Sequence, residues 1–352
     1  MQDDPRDSLD NSNHLGSADA PDVGKTHNEH PYEQLTPEVV LDAVETMGVQ
    51  CDGRLLALNS YENRVYQVGV EDGTPLVAKF YRPGRWSDAA IIEEHNFTIT
   101  LAEAELPVVA PLRWDGETLH MSHGFRFSLY PRRAGRWPEL DSEQNLRWMG
   151  RFIARIHNLG RLRPFQHRPR LDIQTYGHDA VEFLLATTFI PAELREAYTS
   201  LVRDVLAQVQ AGFDAAGVVA QLRIHGDCHP GNILWTSDGP HFVDFDDARS
   251  GPAIQDLWML LSGEREQMTQ QLSHVLGGYT EFSDFNPSEV ALIEPLRTLR
   301  MINYSAWLAR RWQDPSFPIN FPWFAGNRYW EEQILALREQ LALMQEGPLV
   351  WY

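Results

Sequence analysis

The sequence predicts an α+β chain in two unequal lobes, a small β-rich N-terminal lobe and a larger, mainly helical C-terminal lobe. Three observations lead there. At 352 residues the chain is too long for one ordinary core. Alternation of apolar and polar residues is concentrated between 63 and 81. From about residue 140 the apolar spacing turns helical, broken by a short β-rich insert at 221–246.

Residues 1–32 form a polar, acidic tail with almost no large apolar side chain, the composition of a disordered segment. Thr36-Pro37-Glu38 is a helix start, with Thr at the cap and Pro in the first turn. Asn63–Val70 alternates as a half-buried strand, Glu71-Asp72-Gly73-Thr74 reads as a hairpin turn, and Leu76–Tyr81 as the returning strand. A helix is predicted over 88–104 and short strands over 117–121 and 125–130. These elements make an N-lobe of 33–128, joined by an extended hinge at 129–136 to a C-lobe of 137–352. In the C-lobe, Asp141 and Gln144 resemble a capping box ahead of a stripe of Met149, Phe152, Ile153 and Ile156. Further helices are predicted over 179–186, 191–214, 253–278, 287–312 and 328–345, with an ordered loop at 315–326.

The formal net charge is −19, which argues against nucleic acid or an anionic membrane as partner, because those need clustered Lys and Arg. Cys51 and Cys228 lack the spacing of a disulfide framework or a metal site. No secretory signal and no apolar run long enough to span a bilayer are visible, so a cytoplasmic chain is expected, read as a monomer. There are two lysines, Lys25 in the tail and Lys79 on a predicted strand; the other basic residues are arginines.

The chemistry concentrates in Ile224-His225-Gly226-Asp227-Cys228-His229-Pro230-Gly231-Asn232-Ile233-Leu234 and in Phe242-Val243-Asp244-Phe245-Asp246-Asp247. In both, an apolar strand delivers a carboxylate at its end. Phosphoryl transfer needs a carboxylate to orient or accept the acceptor's hydroxyl proton, hard oxygen ligands for magnesium, and a cation at the phosphates. Asp227 can be the base, Asn232 and Asp244 the Mg2+ ligands, and Lys79 the phosphate-binding cation, paired with Glu94 from the following helix.

The His-Gly-Asp-x-His-x-x-Asn loop followed by Val-Asp-Phe-Asp-Asp resembles the aminoglycoside phosphotransferase and choline kinase branch of the protein-kinase-like fold. Within that branch, Asn59–Gln67, Ala78–Trp86, Gly251–Leu261 and the run from Arg310 to Trp323 resemble the bacterial stress response kinase A family, over roughly residues 33–350. The resemblance implies an ATP- and Mg2+-dependent serine/threonine protein kinase with protein substrates, acting in a stress response. It implies ATP contacts from Ser60 and Lys79 and a supporting role for Asp256. With the hinge near Leu129-Tyr130-Pro131, Leu129 and Tyr130 are expected at the nucleotide. The covering loop at 59–65 lacks the Gly-x-Gly-x-x-Gly of protein kinases, so Ser60 would clamp phosphate by its hydroxyl. The fold branch also holds small-molecule kinases of the aminoglycoside, choline, homoserine and sugar type, and a non-catalytic nucleotide-binding regulator is a further alternative.

Several residues have plainer readings. Asp246 and Asp247 read as surface carboxylates, Cys228 as a small buried residue, and His225 as packing under the loop, with His229 a conceivable acid–base partner. Arg82, Arg85, Arg132, Arg133 and Arg136 read as surface arginines in salt bridges.

Overall fold

A computed structural model describes residues 30–351; the expected tail lies outside it as far as residue 29. Tyr32, assigned to that tail, is buried in the N-lobe core.

The N-lobe opens with α1 (Pro37–Glu45), where the Thr36 side chain accepts from the Val39 amide as its sequence implied. Then follow β1 (Cys51–Leu58), β2 (Arg64–Val70), β3 (Leu76–Phe80), α2 (Asp88–Glu103), β4 (His120–Ser122) and β5 (Phe125–Pro131). Together the strands make an antiparallel sheet in the order β1-β2-β3-β5-β4. β1 was not foreseen: its side chains are largely exposed, so it shows no apolar alternation. Val68, Ala78, Phe80, Phe127 and Leu129 form a core with Val40, Ala43 and Val44 of α1. Lys79, between Ala78 and Phe80, therefore emerges on the opposite face.

The C-lobe runs α3 (Glu143–Gly160), α4 (Asp179–Ala186), α5 (Ala192–Ala216), β6 (Leu222–Ile224), β7 (Ile233–Thr236), β8 (Gly239–Phe242), β9 (Arg249–Gly251), α6 (Ile254–Trp258), α7 (Arg265–Tyr279), α8 (Ile293–Arg311), α9 (Ser316–Asn320) and α10 (Asn327–Gln345). β6 pairs with β9 and β7 with β8. α3 and α7 pack backbone to backbone, since a Cβ added at Gly150 would lie 2.0 Å from the Val275 carbonyl oxygen. Among the described residues no helix is long and apolar enough to cross a membrane.

Several boundaries differ from the sequence reading. Ser142, not Asp141, caps α3, accepting from the Asn145 amide. The helix expected over 253–278 is two, because the chain turns through Gly263 at φ +86° before a capping box of Glu264 and Gln267 starts α7. The loop expected over 315–326 contains α9. The extended connection starts after Pro131 rather than at Leu129, because β5 continues that far.

Candidate active site

The loop between β6 and β7 is held from below. Asp256 on α6, 1% exposed, accepts from the His225 and Gly226 amides, each at 2.8 Å. Its Oδ2 also lies 3.0 Å from His157 Nε2, whose Nδ1 meets the Tyr279 hydroxyl at 3.0 Å. Two backbone N–H groups on one buried carboxylate fix the loop's course. Gly226 has φ +82°, and a Cβ there would fall 2.3 Å from the Asp247 carbonyl oxygen, so the position requires glycine.

The loop presents Asp227. Its Oδ1 accepts from Arg300 Nη1 at 2.5 Å, and its Oδ2 lies 3.3 Å from Asn232 Nδ2 and 3.4 Å from His229 Nε2. Asn232 Nδ2 also donates to the Asp227 carbonyl at 2.9 Å. His229 Nδ1 accepts from the Gly231 amide at 2.9 Å, which puts the ring proton on Nε2, facing Asp227. Burial pushes the Asp227 carboxyl up, but Arg300 and His229 outweigh it and hold it well below the usual carboxylate range. His225 packs on Phe245 with ring centroids 4.4 Å apart, as expected.

Asp244 follows β8 in a left-handed conformation, φ 58° and ψ 65°, which swings its carboxylate towards β3. Lys79 Nζ donates to Asp244 Oδ1 at 2.8 Å and lies 3.4 Å from Asp246 Oδ1. Burial lowers the affinity of Lys79 for its proton, but these two carboxylates more than restore it. The expected Lys79–Glu94 ion pair is thus replaced by one to the C-lobe carboxylates. Glu94 on α2 is buried close by. Burial pushes its carboxyl up to about 7, with the Lys79 charge as the largest opposing influence.

Asp246 is not the surface group expected. It is 4% exposed, pairs with Arg85 as well as Lys79, and its carbonyl accepts from Arg168. Asp247 takes Arg85 at 2.9 Å and Arg249 at 2.6 Å. Arg82 and Arg85 are likewise not surface arginines: Arg82 is 4% exposed and the Arg85 side chain 14%. An aspartate trailing a strand looks solvated in sequence, because its partners arrive from β3 and the segment after it.

The β1–β2 loop holds Ser60, half-buried, and beyond it Tyr61 and Glu62. Glu62 reaches the C-lobe: its carboxylate accepts from Trp307 Nε1 at 2.5 Å and Arg311 Nε at 2.9 Å, and meets Arg82 Nε at 3.1 Å. Tyr61 sets its ring edge-on to Phe321, centroids 4.8 Å apart. Beside it Asp314, buried, accepts from Arg64 at 3.1 Å and Arg82 at 2.6 Å. The covering loop is therefore clasped to the C-terminal helices, and no pairing rule within one element could have found that contact.

Leu129 does not face the cleft. Its side chain lies in the core under α1, and its carbonyl accepts from the Leu112 amide at 2.7 Å. Tyr130 stands two residues from Ser128, the cross-strand neighbour of Lys79, and so on the Lys79 face; its hydroxyl is 3.0 Å from that of Tyr81.

A cavity of about 310 Å³ opens beside Asp227. Tyr61 and Glu62 roof it, Asp227, His229, Asp247 and Arg249 form its floor, and α8 makes one wall with Arg300 and Trp307.

Among the described residues no group of three His, Cys, Asp or Glu side chains is placed to hold a metal ion alone. Magnesium bound together with phosphates needs only one or two protein oxygens. Asn232 and Asp244 fit that demand: Asn232 spends its amide N–H groups on Asp227, leaving Oδ1 to ligate, and the Asp244 side chain is 52% exposed.

A model of the phosphotransferase enzyme family matches residues 54–293. Stress response kinase A of Escherichia coli (strain K12) is 45% identical over 318 residues, 90% of this chain and 96% of that one. A protein of Salmonella typhimurium named serine/threonine protein kinase RdoA is 44% identical over 322 residues, 92% of this chain and 97% of its own length. Among solved structures, amicoumacin kinase hAmiN in complex with AMP-PNP, Ca2+ and Ami superposes with a TM-score of 0.67 at 16% identity, covering 87% of this chain and 93% of that one.

Proposed function

The chain belongs to the phosphotransferase enzyme family and, within it, to the stress response kinase A family of kinases, and on that premise we propose that it transfers the γ-phosphate of ATP, with Mg2+, to serine and threonine hydroxyls of proteins. The observation that carries this is two adjacent pairs: Lys79 of β3 on Asp244 after β8, and Asn232 ahead of β7 on Asp227 after β6, linked by the Val243 amide donating to the Asn232 carbonyl.

In this reading Asn232 and Asp244 would hold the Mg2+, which when bound would neutralise phosphate charge. Lys79 supplies a fixed positive charge beside them. Asp227, held as a carboxylate, orients the acceptor hydroxyl and takes its proton as the phosphoryl group is transferred. Ser60, on the covering loop, is assigned to the nucleotide phosphates. Catalysis then rests on positioning and charge neutralisation. A structure-related kinase complexed with AMP-PNP supports an adenine nucleotide as donor.

One observation favours a second reading. The cavity at Asp227 is about 310 Å³ and roofed by the covering loop, a size suited to a small-molecule acceptor. Transfer of labelled γ-phosphate from Mg·ATP by wild type and Asp227→Ala separates the two. Label on Ser or Thr of a basic test protein, lost in the variant, supports the protein kinase; label only in a bacterial metabolite pool supports the small-molecule kinase.

A further inference from the structure

α8 presents Leu296, Leu299, Arg300, Asn303, Tyr304 and Trp307 to the cavity, the three-and-four spacing of one helical face. On that face Arg300 reaches the floor, where its Nη1 lies 2.5 Å from Asp227 Oδ1. The other carboxylate oxygen is engaged from the loop itself, by Asn232 at 3.3 Å and His229 at 3.4 Å. With one oxygen tied to α8 and the other to the loop, the carboxylate cannot turn about its Cβ–Cγ bond without breaking a contact at one end. A carboxylate offers about four lone-pair positions; Asn232 and His229 take those of Oδ2 and Arg300 one of Oδ1, so Oδ1 keeps capacity for an acceptor hydroxyl. The arginine is 44% exposed along its side chain, so its charge also stands in the cavity where the acceptor must sit.

We propose that Arg300 is a positioning residue for phosphoryl transfer, orienting the Asp227 carboxylate from α8 and tying its aim to the helix that walls the acceptor cavity. The proposal rests on Asp227 serving as the base. It makes α8 the element through which acceptor shape is read, because anything that shifts this helix re-aims Asp227. A charge-assisted contact of this length is directional, and a misplacement of about 1 Å at a reacting group can cost on the order of a hundredfold in rate.

The test uses the full chain and two readouts, Mg·ATP hydrolysis without acceptor and label transfer to histone. Arg300→Ala is expected to lower kcat about 10- to 100-fold while leaving KM for ATP unchanged. Arg300→Lys, which keeps the charge but loses the planar fork, is expected to recover part of the rate, and guanidinium ion added to the Arg300→Ala enzyme to restore part of it. In an Asp227→Asn background, measured in single turnover, Arg300→Ala is expected to cost less than about twofold further, because its effect runs through Asp227. An unchanged kcat in Arg300→Ala overturns the proposal, as does a loss that neither lysine nor guanidinium relieves, or one equally large in the Asp227→Asn background. An Asp227→Asn enzyme as fast as wild type overturns the base assignment itself, a result separable from failure of Arg300 alone. Thermal melting of Arg300→Lys against wild type guards against misfolding: rate loss with an equal melting temperature belongs to positioning.

Discussion

The cleft is bridged in two places by contacts between basic and acidic side chains, and the two are built on opposite principles. At one, Asp244, Asp246 and Asp247 crowd onto a single turn and share Lys79, Arg85 and Arg249, with Arg168 donating to the Asp246 backbone carbonyl. Like charges press on one another there. Burial pushes the Asp247 carboxyl up, Arg85 opposes that, and its acidic neighbours reinforce it. At the other, Glu62 and Asp314 each sit among arginines: Arg82 and Arg311 around Glu62, Arg64 and Arg82 around Asp314. Asp314 is almost fully enclosed, at 2% of its side-chain area, whereas Asp244 keeps 52% exposed. Crowding leaves the first site with oxygens still to offer a ligand, while the second is satisfied and bolts the lobes together. Within one fold, the proposed metal site keeps an exposed carboxylate and the clasp keeps none.

The sharpest way to break the comparison is Asp244→Ala. Transfer of labelled phosphate is expected to fall by about 10²- to 10⁴-fold, the scale of losing a positioned catalytic group. The melting temperature should change little, because one of three mutually repelling carboxylates goes while Lys79 loses its nearer partner and keeps Asp246. Asp314→Ala should do the converse: it leaves Arg82, 4% exposed, with Glu62 as its remaining carboxylate, and is expected to cost about 3 kcal/mol in denaturant unfolding. The rate per folded molecule should fall far less than in Asp244→Ala. Glu62→Gln keeps the shape but weakens the grip on Arg311 and Trp307, and about a tenfold drop in kcat/KM is expected, with a change in Trp307 fluorescence as the lobes part.

The smallest effect expected belongs to Glu94. Its folded carboxyl titrates at about 7 against an ordinary 4.5, so the folded state keeps a proton that the unfolded chain gives up. Stability is therefore undiminished below about pH 4.5, declines between 4.5 and 7, and stays reduced above. Glu94→Gln mimics the protonated form, so it should raise the melting temperature by a few degrees at pH 8 and leave it nearly unchanged at pH 5. An equal rise at both values would show that the group is charged throughout.

What could be read beforehand follows the same division. Asp227, Asn232 and Asp244 fall within one short stretch, and the chemistry proposed for them limits which residue types can stand there. Lys79 was legible by scarcity, and the Thr36 cap because its partner is three residues away. The clasp was not, since Arg64 and Asp314 are separated by 250 positions and the likeness of each run to a family says nothing of their pairing. Arg300 escaped for a related reason: 73 positions from Asp227, it reads on α8 as one more arginine of an amphipathic helix. Asp246 was misjudged because burial of a charge is decided by its partners, which arrive from other elements. β1 was missed because its largely exposed face leaves no alternation to detect.

Lys79 carries a last consequence, for enzymatic cleavage. It is the one lysine among the described residues, 7% exposed and held in mid-strand by pairing with Ser128. A lysine-specific protease consequently has a single target in the folded body. To reach it, the central strand of the N-lobe sheet must be released. The rate at which that cut appears measures how often β3 detaches, and a ligand that bridges the lobes would slow it in proportion to the fraction of molecules it occupies.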